Sequence, residues 1–334
     1  MGQTRFFHAP RKGKMAAIAG GMPEVQALMK KGEPVWLDFV DPRPEDLQAL
    51  VEPFEIHPLS IEDCMDEDMV PKIDIFPNYS FILFNAFTYR DGEVLLDEVD
   101  FILGNHFLIS VRGARTKNTE YFAKLNERLG RSQALASKGP EFLMETILDF
   151  MVDENFKAIE LVEDDIDKLE ETMLGTDHEF RPQDLLGFRN CLLNLRKSLF
   201  HEREVMIKIC RRDSPQIGEK AVFYFRDIYD HLTKFFELIE INRERITSLL
   251  ELSLSLINNR MSKISNQTNE VVKRLTIINV IFMPLTLLAG IGGMSEWSMM
   301  TGPDNWYISY PIFFGLMGGL AIGIHRLMKH FRWI

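Results

Sequence analysis

Polar side chains set into a long apolar stretch are the residues best suited to chemistry in this chain. From Leu275 to Met294 there are 20 consecutive residues without a charge, yet Thr276, Asn279 and Thr286 lie among them. Lipid offers no hydrogen-bond partner to such groups, although a threonine can bond to its own helix. Their oxygen atoms suit the hydration shell of a cation. The pattern therefore favours the lining of a pore.

These polar residues belong to a longer stripe that repeats every seven residues. Its mostly small or polar members are Ser255, Asn258, Ser262, Ser265, Asn269, Val272, Thr276, Asn279, Met283, Thr286, Gly290 and Gly293. A strict seven-residue repeat predicts that the helix packs around a shared axis. A dry seam would carry Leu or Ile, so this stripe indicates a wet axis. For Ser255 to Ser265, simple exposure to solvent is an equally good interpretation.

The element that carries this stripe is predicted to be a membrane-spanning helix. Twenty residues at about 1.5 Å each cross a hydrocarbon core of about 30 Å. We place the first span at 275–294, an external loop at 295–305 and a second span at 306–325. Two helices in one chain cannot enclose a pore, so the interpretation requires a symmetric oligomer with the first span innermost.

The charges that flank the spans predict their orientation. Lys273 and Arg274 precede the first span, and the segment 326–334 after the second is basic, whereas the loop between them has no Lys or Arg. The positive-inside bias then places both termini in the cytoplasm. We expect a multi-pass protein of the inner (plasma) membrane, in contact with lipid.

Several strings in and before the first span resemble a known family. They are NEVVKRLTII at 269–278, FMPLT at 282–286, AGIGGM at 289–294, WLDFVDP at 36–42, HPLSIED at 57–63 and FLISVR at 107–112. Together, in this order and spacing, they are similar to the CorA family of divalent cation channels, including its ZntB-type branch. The resemblance covers most of the chain.

The resemblance implies a funnel-shaped homopentamer in which a long stalk helix continues into the pore helix. It also implies passive conduction of divalent cations into the cytoplasm, with cations as transported and regulatory ions and no further cofactor. Carried onto matching positions, the pore would be lined by Asn269, Leu275, Met283 and Thr286. Leu275 and Met283 would form apolar constrictions.

One departure from the family lies at the predicted outer mouth. CorA-type members end the span with Gly-Met-Asn, whereas this chain has Gly293, Met294 and Ser295, followed by Glu296. Mg²⁺ sheds its water reluctantly, so a filter should accept hydrogen bonds from its hydration shell. A ring of Ser295 would be wider, and Glu296 could add a ring of carboxylates. Transport of Mg²⁺, Zn²⁺, Co²⁺ or Ni²⁺ stays open, as do a ZntB-like zinc route and a non-conducting metal sensor or scaffold.

The soluble part is predicted to be an α+β domain followed by long helices. We expect a flexible basic tail at 1–31 and an α/β domain at 32–130. Its strands are predicted at 35–40, 80–89, 94–103 and 107–112, in a partly antiparallel sheet.

Long amphipathic patterns follow this domain. A charged helical hairpin is predicted at 141–216 and a stalk helix at 217–274, uninterrupted into the membrane. Residues 141–174 hold 12 acids and 2 lysines, whereas residues 183–212 hold 7 basic residues and 3 acids. We therefore expect these two helices to pair through opposite charge.

An acidic run is a weak candidate for a metal site. It comprises Glu62, Asp63, Asp66, Glu67 and Asp68. Carboxylates bind hard cations, and CorA-type relatives are gated by cytoplasmic metal. The favoured interpretation, however, is a solvated helix end.

Composition excludes several other classes. A net charge of -11 disfavours nucleic acid as a partner. Three scattered cysteines fit a reducing compartment and argue against a structural zinc knuckle. The sequence has no phosphate-binding loop, nucleophile elbow or HExxH helix, so an enzyme is not expected.

Overall fold

The architecture comes from a computed structural model. It describes residues 3–10, 15–66, 70–90, 92–113, 124–125, 127–129, 138–175, 181–293 and 302–331. The chain divides into two units, Met1–Glu251 and Leu252–Ile334.

A seven-stranded sheet organises the first unit. Its strands are β1 (Gln3–His8), β2 (Ala16–Ala17), β3 (Val35–Val40), β4 (Lys72–Ile75), β5 (Tyr79–Arg90), β6 (Glu93–Gly104) and β7 (Phe107–Arg112), in the order β2-β1-β3-β7-β6-β5-β4. β3 and β7 are parallel, and the other neighbouring strands are antiparallel. The four predicted strands are therefore confirmed to within one residue at each end.

The central strands are nearly continuous apolar runs because both faces of the sheet are covered. All six residues of β7, and all but the last of β3, are buried. One face packs against four short helices, α1 (Gly21–Lys30), α2 (Pro44–Gln48), α3 (Val51–Phe54) and α4 (Pro58–Asp63). Leu47, Leu50 and Phe54 join this core.

A buried ion pair joins the two parallel strands. The Arg112 guanidinium donates to both oxygens of Asp38, at 3.2 Å and 2.6 Å. Ser110 Oγ donates to the same carboxylate at 2.9 Å and accepts from Trp36 Nε1 at 2.9 Å. Because removing either charged partner would leave the other uncompensated, this pair ties β3 to β7 in one register.

The predicted flexible tail at 1–31 is wrong for the residues that the structure describes. β1 pairs with β3 along six residues, and α1 follows. Two aromatic contacts explain why this segment is ordered. Phe7 stacks on Trp36 with ring centroids 4.9 Å apart, and Phe6 packs edge-on against Phe39 with ring centroids 6.3 Å apart. Without β1, that edge of β3 would leave its backbone groups unpaired.

Three long helices complete the first unit. They are α5 (Pro140–Leu174), α6 (Pro182–Cys210) and the first part of α7 (Glu219–Gly292). Residues of α5 contact α7 in the same order along both helices. Phe142 contacts Tyr224, and Phe156 contacts Phe235, so these two helices are parallel. Contacts of α6 with α7 run in the reverse order, as expected for a hairpin.

The expected pairing of opposite charges between α5 and α6 is not found. Arg196 of α6 pairs with Glu240 of α7, and Arg245 of α7 pairs with Asp167 and Glu170 of α5 at 2.5 Å and 2.9 Å. Among the described residues, no ion pair joins α5 directly to α6. Helix α7 supplies an acidic partner to α6 and a basic partner to α5, and the predicted pairing of α5 with α6 left α7 out.

The second unit contains the rest of α7, a 3₁₀ turn (Pro303–Asn305) and α8 (Trp306–His330). The helix is continuous through Pro284. Both α7 and α8 contain a stretch long and apolar enough to cross a membrane, and no residue of either stretch is buried. The two-helix pattern predicted for the membrane part is therefore confirmed.

Candidate ion pathway and cation site

The six predicted pore residues all lie on the exposed surface of α7. They are Asn269, Leu275, Thr276, Asn279, Met283 and Thr286. Met283 is 78% exposed and Leu275 55% exposed, which is unusual for such apolar side chains. The described residues of a single chain leave this face of the helix exposed.

The opposite face of α7 packs within the second unit. Its half-buried residues recur every three or four positions, at Ile277, Val280, Ile281, Pro284, Leu285, Leu288 and Gly292. At about 100° per residue, the centre of this face lies roughly 180° from the centre of the polar stripe. The packing of α7 therefore leaves the stripe open to another subunit or to a pore.

Gly292 shows how closely the two helices approach. A Cβ atom at this position would lie 2.7 Å from Cζ of Phe313 on α8, so any larger residue would have to displace the Phe313 ring. Gly290, on the stripe, has nothing within 4 Å of the corresponding position. The glycines of this segment therefore have different roles, one in helix packing and one on the open face.

The threonine hydroxyls of the stripe are oriented by their own helix. Thr276 Oγ1 donates to the Val272 carbonyl at 2.8 Å, and Thr286 Oγ1 donates to the Phe282 carbonyl at 2.9 Å. Each hydroxyl has one proton, which this bond uses, so its oxygen is left as an acceptor. Acceptor oxygens are what a cation or its water shell requires.

The predicted outer mouth is only partly described. Gly293 follows the last turn of α7 and donates its N–H to the Ala289 carbonyl at 2.9 Å. Met294, Ser295 and Glu296 lie outside the described residues, so the filter remains a prediction.

The acidic run does not form a metal site in the part of the chain that the structure describes. Asp63 accepts from Lys72 at 2.7 Å, which neutralises its charge. Glu62 and Asp66 are exposed and do not join Asp63 in a compact group. Glu67 and Asp68 lie outside the described residues.

A different cluster brings three ligand atoms together between α5 and α7. Oxygens of Asp149 and Asp227 and a ring nitrogen of His231 lie within 4.8 Å of one another. The cluster is not visible in the sequence because Asp149 is nearly 80 residues from its partners. The spacing of Asp227 and His231, one turn apart on a helix, is the signal that could have found half of it.

The electrostatics of this cluster indicate excess negative charge. Burial, together with the charges of Asp149 and Asp227, raises the pKa of Glu145 to about 7. Arg128 offsets part of the charge, with its guanidinium 2.6 Å from Asp149. The His231 ring stacks on Phe235, with the ring centroids 6.3 Å apart. A cation would relieve the repulsion among the carboxylates.

Comparison with known proteins covers nearly the whole chain. The model of the family described as CorA-like Mg²⁺ transporter protein matches residues 31–330. The cobalt/magnesium transport protein CorA of Thermotoga maritima is 33% identical over 306 residues, covering 90% of this chain and 84% of that protein. The putative metal ion transporter YfjQ of Bacillus subtilis is 32% identical, covering 89% of each.

The fold agrees with a solved structure of full length. The CorA magnesium transporter of Methanocaldococcus jannaschii superposes with a TM-score of 0.69 at 20% identity, covering 99% of this chain and 98% of that one. The two apolar helices and the soluble α+β unit thus occur together in one known architecture. This chain is a member of the CorA-like Mg²⁺ transporter family, whose proteins are membrane transporters of divalent cations and not enzymes.

Proposed function

We propose that the polar stripe of α7 lines the path along which this transporter moves divalent cations. The observation that carries the proposal is the position of the stripe, on the face of α7 opposite its packing with α8. Several copies of α7 around one axis would bring their acceptor oxygens together. We infer a homo-oligomer, a pentamer on the family resemblance, in the inner membrane with both termini cytoplasmic.

We propose that the transported ions include Mg²⁺ and the transition metals Co²⁺, Ni²⁺ and Zn²⁺. Thr276, Asn279 and Thr286 offer neutral oxygens, which suit an ion that keeps its water. The outer mouth carries Ser295 and Glu296 in place of the amide ring of CorA-type members. A carboxylate ring attracts any divalent cation and discriminates weakly among them.

Uptake into proteoliposomes tests this function. The purified chain should admit Mg²⁺, Co²⁺, Ni²⁺ and Zn²⁺ at rates well above those of empty liposomes, measured by stopped flow with a dye suited to each ion. A pH gradient applied in either direction should leave the rates unchanged, because the family resemblance implies passive conduction. Flux equal to that of empty liposomes, from protein shown to be oligomeric, would exclude the proposed path.

We propose further that Asp149, Asp227 and His231 bind a regulatory cation. The two ligands on α7 belong to the same continuous helix that carries the stripe, so a cation there would act on the helix that lines the path. A mixed oxygen and nitrogen set suits Co²⁺, Ni²⁺ or Zn²⁺ better than Mg²⁺.

Replacement of Asp227 by asparagine should weaken this cation site. We expect the Co²⁺ concentration that half-maximally raises the melting temperature to increase at least tenfold, because one charged ligand is lost. Asp230→Asn is the matched control, since Asp230 is exposed on the same helix outside the cluster. Equal Co²⁺ responses in the two variants would contradict the assignment.

A further inference from the structure

The outward face of α6 carries apolar side chains that the described part of the chain leaves about half exposed. Leu186, Leu193 and Phe200 follow one another at intervals of seven residues and are 47%, 42% and 45% exposed. Leu195, on the opposite face of α6, is completely buried, as are the flanking Leu192 and Leu199. Apolar residues repeated every seven positions are typical of a helix that packs against another helix.

Basic side chains accompany this apolar row. Arg189 and Lys197 are exposed on the same side of α6, eight residues and about 12 Å apart along the helix. Neither forms an ion pair in the part of the chain that the structure describes. We call the row Leu186, Arg189, Leu193, Lys197 and Phe200 the basic face of α6.

The outer side of α5 has the complementary character. A shallow groove of about 520 Å³ is lined by Lys157, Glu160, Leu161, Glu163, Asp164 and Asp167. Leu161 is 48% exposed in this lining. We call this feature the acidic groove of α5.

Most of the charge of the acidic groove is uncompensated. Lys157 is paired with Glu154, and Asp167 is paired with Arg245. Glu160, Glu163 and Asp164 make no ion pair among the described residues. The groove therefore presents carboxylates and one exposed leucine to whatever docks there.

We propose that the basic face of α6 in one subunit docks into the acidic groove of α5 in a second copy of this chain. The occupant is argued from charge, because Arg189 and Lys197 would meet Glu160 and Asp164 while Leu193 would cover Leu161. Within one chain the two surfaces do not cover each other, since both are exposed in the same molecule. The inference rests on the homo-oligomer of the proposed function and names the contact that builds it.

Charge also determines the symmetry of this contact. Two acidic grooves repel each other, as do two basic faces, so neither surface pairs with its own copy. The contact therefore joins two unlike surfaces, and when it repeats from subunit to subunit it builds a ring if the rotation closes. A ring of subunits is the arrangement that a central ion path requires.

Mixed oligomers provide a direct test with the full-length chain. One chain, with one affinity tag, carries Leu161→Cys, and a second chain, with another tag, carries Leu193→Cys, both with Cys64, Cys191 and Cys210 replaced by alanine. A short bis-maleimide should join the two chains into a product that carries both tags. The matched control pairs Leu193→Cys with Ile241→Cys, because Ile241 is 55% exposed on α7 and lies on neither surface.

Charge reversal separates the proposed contact from chance proximity. Arg189→Glu with Lys197→Glu should lower the cross-linked yield about tenfold, and Glu160→Lys with Asp164→Lys in the other chain should restore it. Cross-linking no greater than with Ile241→Cys, in protein that native mass spectrometry shows to be oligomeric, would overturn this contact and leave the ion path standing. A monomer by mass would overturn the contact and the oligomer together.

Discussion

Replacement of Thr286 by leucine is expected to reduce cation flux to the level of empty liposomes. Thr286 lies on the open face of α7, and its hydroxyl oxygen is left as an acceptor because its proton is donated to Phe282. Leucine removes that oxygen and adds volume at the same point of the axis. In a symmetric oligomer one substitution places a ring of leucines across the path, and an apolar constriction excludes a hydrated ion.

Two further variants make this result specific. Thr268→Leu is the matched control, because Thr268 makes the same hydrogen bond to its own helix, at 3.0 Å to the Ile264 carbonyl, but lies outside the apolar stretch and beside the stripe. We expect it to conduct as the unmodified chain does. Thr286→Ser retains the hydroxyl and should also conduct. Flux through Thr286→Leu equal to that of Thr268→Leu, from equally oligomeric protein, would refute a path along this face.

The elements of this fold were predictable where one periodicity is long and uninterrupted. β7 was predicted to the residue, and α5 to within one residue, because apolar alternation or a helical repeat dominates those segments. Gly92 and Gly175 mark the ends of such segments in the sequence. Local pattern is sufficient when the local and tertiary preferences agree.

The described residues 3–10 and 15–30 were mispredicted as a flexible tail because their ordered structure depends on distant partners. Nothing within 3–8 shows strong alternation, and the strand forms because the open edge of β3 offers hydrogen bonds and its aromatic side chains offer contacts to Phe6 and Phe7. The basic residues of this region dominated the sequence interpretation. A partner that lies about 30 residues away is not visible in a local window.

The candidate functional residues also fall into a part that local sequence predicts and a part that it does not. The stripe on α7 was predictable because a single helix carries all of it. The cluster of Asp149, Asp227 and His231 was not, because it exists only where α5 and α7 run side by side. The prediction that α5 and α6 pair through opposite charge was wrong for a related reason. A third helix, α7, carries charges of both signs and forms ion pairs with each of them.

Glu202 of α6 is a buried acid that should make the stability of the chain depend on pH. Its side chain is fully buried, and burial raises its pKa to about 8, although Ser198 Oγ donates to one oxygen at 3.0 Å. A backbone hydrogen bond from Asn85 also favours the ionised form, but the other carboxyl oxygen, Oε2, is buried without a hydrogen-bond partner among the described residues. The folded chain therefore holds a proton on Glu202 at neutral pH, whereas the unfolded chain releases it near pH 4.5.

The sign of the effect follows from this difference in bound protons. Between about pH 4.5 and pH 8 the folded state binds one proton more than the unfolded state, so the free energy of unfolding falls as the pH rises. The fall is about 1.4 kcal/mol for each pH unit. Glutamine has nearly the same shape and does not titrate, so Glu202→Gln should remove this contribution.

We therefore expect Glu202→Gln to be more stable than the unmodified chain at pH 8 and to differ from it less at pH 5.5. An upper estimate of the gain at pH 7 is about 3 kcal/mol, which corresponds to several degrees in melting temperature. Thermal unfolding in detergent at both pH values measures it, with Glu204→Gln as the matched control, because Glu204 is exposed on the same helix. A gain that does not grow with pH would mean that Glu202 is ionised in the folded chain. In that case a buried cation, or a donor to Oε2, would have to balance its charge.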